Sequence, residues 1–148
     1  MRRKKILFLL LALVGCSAFT YAEDTSFISA QVAQINQVLK DNSTGPNDPK
    51  ASFKVDTTEK TLTLNFARNK SLAGMDRNVF ELIAQTLPST ILTTVYITSK
   101  GIVNGQIVGG KFIKELQDNN YMIIVIISGT DKKYEFSYPS SVLTLGEN

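Results

Sequence analysis

The chain has no histidine, no tryptophan and a single cysteine among its 148 residues. Without histidine it lacks the commonest general base and the commonest metal ligand. With one cysteine it can close no internal disulfide. Neither a Ser–His nor a Cys–His nucleophile pair can be assembled. Carboxylates are present, but no two of them lie in an apolar context that would set their pKa values apart. These gaps argue against an enzyme, against a bound metal and against a cofactor. A basic field is also missing. The formal net charge is +3, but Arg2, Arg3, Lys4 and Lys5 crowd at the start. Without them the 16 basic residues drop by four to 12, against 13 acidic ones. That balance offers nothing for nucleic acid.

What is present begins with an address. The basic cluster precedes the apolar run Ile6–Val14, which is too short for the roughly 20 residues that a membrane-spanning helix needs. Basic start plus short apolar run is the pattern of a secretory signal peptide, here covering residues 1–22. Two cleavage sites compete. Leu13-Val14-Gly15-Cys16 resembles the bacterial lipobox, in which the cysteine is lipidated and becomes the first residue of the mature chain. The other is ordinary signal peptidase cleavage after Ala22, with Thr20 and Ala22 as the small pair. Ser17 after the cysteine goes with outer-membrane retention in lipoproteins. Each buried lipid methylene contributes about 0.8 kcal/mol, so several acyl chains anchor a protein firmly. The expected location is the outer membrane, facing the periplasm. If Cys16 carries no lipid, the chain is a soluble periplasmic or secreted protein.

Residues 23–50 read as a helix and a linker. Ile28, Val32, Ile35 and Leu39 recur at helical spacing, with Thr25 or Ser26 as the N-cap. Asp41–Lys50 carries Gly45, Pro46 and Pro49 and breaks regular structure. Residues 51–148 read as one α+β domain. Phe53 and Val55 open a strand, residues 56–60 turn, and Leu62, Leu64 and Phe66 alternate in a second strand. Met75, Val79, Phe80, Ile83 and Leu87 follow at helical spacing, and Pro88 is expected to stop that helix. Val95 and Ile97 alternate and predict a strand over Val95–Thr98, which closes a βαβ unit. A second helix is expected over Ile107–Gln117, with Val108, Phe112 and Leu116 on one face. The unbroken apolar run Tyr121–Ser128 predicts a central strand buried on both faces. Tyr134, Phe136 and Tyr138 alternate in a last, antiparallel strand that Pro139 ends. The sum is a single mixed sheet with a βαβ unit and helices on one face, preceded by a short N-terminal helix. One stretch, Gly105 to Lys111, fits the phosphate loop GxxxxGK, but Phe112 stands where a Ser or Thr must hold Mg²⁺. It reads as a glycine-rich helix start.

From Leu62 to Leu116 the order of elements resembles the OmpA C-terminal domain family, the peptidoglycan-binding module of envelope lipoproteins. Phe66 matches the end of its first strand, Gly101 its loop glycine, and Asn104 through Phe112 the spacing of its helix start. The family grips diaminopimelate with an Asp and an Arg. Here Thr98 or Ser99 stands for the Asp and Lys111 for the Arg, with Asn104 at the helix start. Lysine keeps the charge but not the planar fork, and a hydroxyl cannot pair with an ammonium as a charge. The resemblance therefore implies an OmpA-like envelope lipoprotein turned from wall binding to assembly with other envelope proteins. Such domains resemble subunits of large envelope machines, including type IVB secretion systems. Peptidoglycan binding would be weak or absent. The alternatives are a weak peptidoglycan binder and a secreted inhibitor or small-ligand binder.

The export reading has a direct test. Cys16→Ala is expected to abolish lipid labelling and to release the protein into the soluble periplasmic fraction. A wild-type mature chain that starts at Glu23 would overturn lipidation.

Overall fold

Short runs of alternating apolar and polar residues, interrupted by turns, give this chain four strands of equal length. The computed structural model describes residues 25–43, 45–46, 48–99 and 105–145. Helix α1 is Thr25–Asn42, followed by strands β1 (Lys50–Asp56) and β2 (Thr61–Ala67). Helices α2 (Arg77–Thr98) and α3 (Gly105–Asp118) come next, then β3 (Met122–Ser128) and β4 (Lys133–Pro139). One turn of 3-10 helix, Ser140–Val142, follows β4. The strands form one mixed sheet in the order β1-β2-β3-β4. β1 and β2 are antiparallel, β2 and β3 parallel, β3 and β4 antiparallel. The fold is α+β, as expected, and the parallel pair is joined by a crossover holding both α2 and α3.

Two expectations about that crossover are corrected. Val95–Thr98 is not a strand but the last turn of α2, and Pro88 lies inside the helix instead of ending it. The reason is the buried stripe. Phe80, Ala84, Pro88, Leu92, Val95 and Tyr96 all face inward, at a spacing that runs unbroken across the proline. Proline inside a helix costs about 3 kcal/mol. Burial of Leu92 and Val95 beyond it gains about 1.5–3 kcal/mol each. Packing thus matches or outweighs the proline cost, and it overrides the β-preference of Val95 and Ile97.

The core lies on one face of the sheet. Phe53, Leu64, Val125 and Phe136 stand side by side across the four strands, and all four are buried. Ile28, Val32 and Ile35 of α1 and Phe112 and Leu116 of α3 join the same cluster. The side chain of Val108, expected on that face of α3, lies outside the described residues. The other face of the sheet carries Met122, Ile124 and Ile126 at its centre, between Thr61, Thr63 and Asn65 on β2 and Glu135 and Ser137 on β4. Met122 is 42 % exposed and Ile124 and Ile126 are half-buried. β3 is an inner strand as expected, but it is not buried on both faces, because among the described residues no helix packs on this side.

The edges of the sheet are guarded. Asn36 of α1 donates from Nδ2 to the Phe53 carbonyl at 2.8 Å and accepts the Phe53 N–H on Oδ1 at 2.7 Å. Its amide pairs with β1 as a neighbouring strand would. On β4, Arg77 Nη2 donates to the Glu135 carbonyl at 3.4 Å while its guanidinium lies 4.6 Å from the centre of the Phe136 ring. Both contacts occupy backbone that would otherwise invite another chain.

Val125 is fully buried in the middle row. Val125→Asp is expected to cost on the order of 3–5 kcal/mol, because an unpaired carboxylate is placed in the core. Urea unfolding measures it, and an unchanged midpoint would contradict the assigned position of β3.

Candidate functional site

The residues singled out by sequence fall in different places. Cys16 and Asn104 lie outside the described residues. Thr98 ends α2 and turns its hydroxyl to the carbonyls of Thr94 and Val95. Ser99 caps the same helix, its N–H donating to the Val95 carbonyl at 2.9 Å. Lys111 is on α3, its ammonium 4.2 Å from the centre of the Phe27 ring on α1. Such a cation–π contact is worth about 0.5–1 kcal/mol at an exposed site. The hydroxyl and the cation that the resemblance sets against one ligand are thus engaged with different elements, and the strand end that should present Thr98 is a helix end. The phosphate-loop-like stretch is helical as well. A Cβ at Gly109 would lie 2.9 Å from Leu145 and 3.0 Å from Tyr96. That glycine lets α3 approach α2 closely, and Phe112 is core.

What the structure assembles instead is the outer face of α2. Asp76 starts this helix by accepting the Asn78 N–H at 2.9 Å. From Leu82 to Ser99 the sequence contains no charged residue. Val79, Leu82, Ile83 and Ile97 are exposed, Leu82 by 73 %. Between them stand Thr86, Thr90 and Thr94, also exposed. Their hydroxyls donate back along the helix, Thr86 to the Ile83 carbonyl at 3.3 Å, Thr90 to Thr86 at 3.1 Å and Thr94 to Thr90 at 2.9 Å. Their donors are therefore spent inside the helix, and this face asks little of water.

A groove of about 350 Å³ runs beside it. Thr86, Thr90, Thr93 and Thr94 form one wall, and Val142 and Thr144 form the other. Ser89 ties the walls together. Its hydroxyl accepts the Thr144 N–H at 2.9 Å and donates to the Val142 carbonyl at 3.3 Å. Reading Pro88 as a stop cut this surface in two at the sequence level. The signal that could have revealed it is the charge-free run itself, together with threonines recurring every fourth residue.

No family model, curated protein or solved structure matches this chain.

Its function has to be read from its own surfaces. Among the described residues no group of three or more Cys, Asp or Glu is placed to hold a metal. Among them, too, no helix is long and apolar enough to cross a membrane. One polar contact is buried between helices: the Tyr96 hydroxyl donates to Gln31 Oε1 at 2.8 Å. Burial pushes the Tyr96 phenol far up, so it remains a donor.

The most connected acidic group is Asp131, in the turn between β3 and β4. It accepts the Ser71 hydroxyl at 2.6 Å and the N–H groups of Leu72 and Ala73 at 2.8 and 3.1 Å. The contact joins this turn to the loop that leads into α2. The Ser71 hydroxyl first, and then the Leu72 N–H, hold the Asp131 carboxyl below its ordinary value of 3.8. A group whose pKa is lowered by folding stabilises the fold above that ordinary value and loses its contribution as pH falls through the folded-state value. Asp131→Asn is therefore expected to melt earlier than wild type at neutral pH, with the gap closing at acid pH, below 3.8. Thermal midpoints of both chains across this range decide the matter; a gap of constant size would remove the clamp.

Proposed function

We propose that the chain is a non-catalytic exported envelope lipoprotein, held at the outer membrane through Cys16. Its α+β domain is a structural or assembly component of a periplasmic or outer-membrane complex. The observation that carries this reading is the outer face of α2. Val79, Leu82 and Ile83 are exposed together near its start and Ile97 at its end, no residue from Leu82 on is charged, and the hydroxyls of Thr86, Thr90 and Thr94 are already bonded. Contiguous apolar surface of this kind marks an interaction site more often than free surface, and interface centres are depleted in charge. The signal segment supplies the compartment. The resemblance to envelope lipoproteins supplies the class of assembly, including secretion machinery.

Wall binding draws less support. Thr98 is bonded within its own helix and Lys111 is stacked on Phe27. Neither is presented as one half of a diaminopimelate grip.

The test is the size of the assembly in mild detergent. The native chain is expected to migrate well above the 16.3 kDa of its unprocessed form. Leu82→Lys is expected to release it at unchanged melting temperature, since Leu82 supports nothing in the core. The same preparation is expected to pass through purified peptidoglycan at physiological salt. Migration of the native chain as a free monomer would refute the assembly reading, and firm retention on peptidoglycan would replace it with wall binding.

A further inference from the structure

We propose that the cationic end of the sheet, built from residues 68–77 and 129–134, docks an acidic segment of another protein in the complex. The inference rests on the assembly reading and deepens it by naming the chemistry of the partner.

Two loops meet there. The loop from β2 to α2 carries Arg68 and Lys70 and ends on Arg77, and the turn from β3 to β4 carries Lys132 and Lys133. The Arg68 N–H donates to the Ser128 carbonyl at 2.8 Å and the Thr130 N–H to the Lys70 carbonyl at 2.9 Å. A Cβ at Gly129 would lie 2.5 Å from the Lys70 carbonyl oxygen, so only glycine lets the two loops touch this closely. Asp131 completes the join through Ser71, Leu72 and Ala73. The backbone beneath the five cations is therefore braced before any partner arrives, which lowers the ordering cost of binding.

The charge is one-sided. These segments hold five basic residues and two acidic ones, Asp76 and Asp131. Both acids are turned to the protein itself, Asp131 as just described and Asp76 by accepting the Asn78 N–H. Among the described residues none of the five cations forms an ion pair. Two of them crowd one ring. Lys132 Nζ lies 5.7 Å and the Arg77 guanidinium 5.8 Å from the centre of the Tyr134 ring. The ring attracts each cation but neutralises neither. Carboxylates arriving from outside find these cations unpaired, and such complementarity sets specificity and association rate.

Position and composition say which anion fits. The chain enters the domain at the other end. Gln31, in the second turn of α1, accepts the Tyr96 hydroxyl, and Tyr96 stands about 28 Å along α2 from Arg77. Cys16 precedes Thr25 by nine residues, at most about 30 Å of chain. A lipid at Cys16 thus holds the far end to its membrane and leaves the cationic end directed away from those headgroups. Arginine, tyrosine and methionine are enriched in protein interfaces. Arg77, Tyr134 and Met75 stand together here, with Tyr134 Oη 3.5 Å from the Met75 carbonyl oxygen. Met75 is 42 % exposed and comes four residues before Val79, where the exposed face of α2 begins. One partner can therefore cover both surfaces, with aliphatic residues over α2 and carboxylates over the loops.

The probe is a fluorescent oligoglutamate peptide, and its binding to the full mature chain in mild detergent is read by fluorescence anisotropy at low salt. The wild-type chain is expected to bind it. Lys70→Glu together with Lys132→Glu is expected to weaken binding by about ten-fold or more. Lys54→Glu together with Lys114→Glu makes the same change in net charge elsewhere and is expected to weaken it by less than about two-fold. Melting curves show both variants folded. Equal losses from the two pairs, or no binding of the peptide by the wild-type chain, would overturn the inference. Binding to phosphatidylglycerol vesicles without binding to the peptide would refute it in favour of a membrane. In cells the Lys70→Glu, Lys132→Glu chain is expected to leave the assembly that is sized in mild detergent. An assembly of unchanged size would refute the acidic partner and keep the assembly reading, and a wild-type monomer would bring down both.

Discussion

The parallel pairing of β2 with β3 joins the two halves of this protein. Each half is local. β1 and β2 form one hairpin, β3 and β4 another, and each can be set by its own turn. The seven-residue register from Thr61↔Met122 to Ala67↔Ser128 brings the hairpins together. Parallel strands cannot be joined by a tight turn and need a long crossover. α2 and α3 are that crossover, and their lengths follow from having to leave one end of the sheet and return at the other. Once the pair forms, Leu64 and Val125 stand side by side and Phe53 and Phe136 extend the row to both edges. The helices then have one apolar surface to bury against.

This dependence explains what could be read from the sequence. The strands that alternate, around Phe53, Leu64 and Phe136, were legible because a sheet with one buried face imposes period two. The helix α1 was legible because Ile28, Val32 and Ile35 repeat at helical spacing. Val95–Thr98 was not. Its β-branched residues look the same whether they line a strand or the two sides of a helix, as buried Val95 and exposed Ile97 do here, and only the position of the sheet decides. Pro88 misled for a related reason, since its cost is local and the compensating burial of Leu92, Val95 and Tyr96 is tertiary. The apolar run of β3 suggested two covered faces, yet Met122, Ile124 and Ile126 open to the far side. Thr98 or Ser99 stands for the family's Asp only where a strand ends there, and α2 runs through Thr98 instead. With the strand gone, that geometry goes with it.

α2 thus faces two environments at once. Its inner side carries the aliphatic and aromatic residues of the core, and Tyr96 adds one buried hydrogen bond that fixes it against α1. Its outer side sets Val79, Leu82, Ile83 and Ile97 among threonines and carries no charge from Leu82 on. The threonines satisfy themselves. An asparagine or glutamate in those positions would seek water and hold the face in solvent. Thr86, Thr90 and Thr94 instead bond to their own helix, so the face can be exposed or covered at small cost either way. That is the property of a surface that associates reversibly.

The bond between Asn36 and Phe53 also bears on the order in which the chain is made. A strand edge is most dangerous when it has just formed and its neighbours have not arrived. β1 is such an edge, with one side given to β2 and the other open. The residue that closes the open side sits in α1, upstream of the strand it closes, so it leaves the ribosome first. On the proposed export route the same order holds, and chains emerging side by side meet β1 with its guard already across. An arrangement with the same contact but the helix downstream would leave the edge bare for the whole time needed to make the rest of the domain.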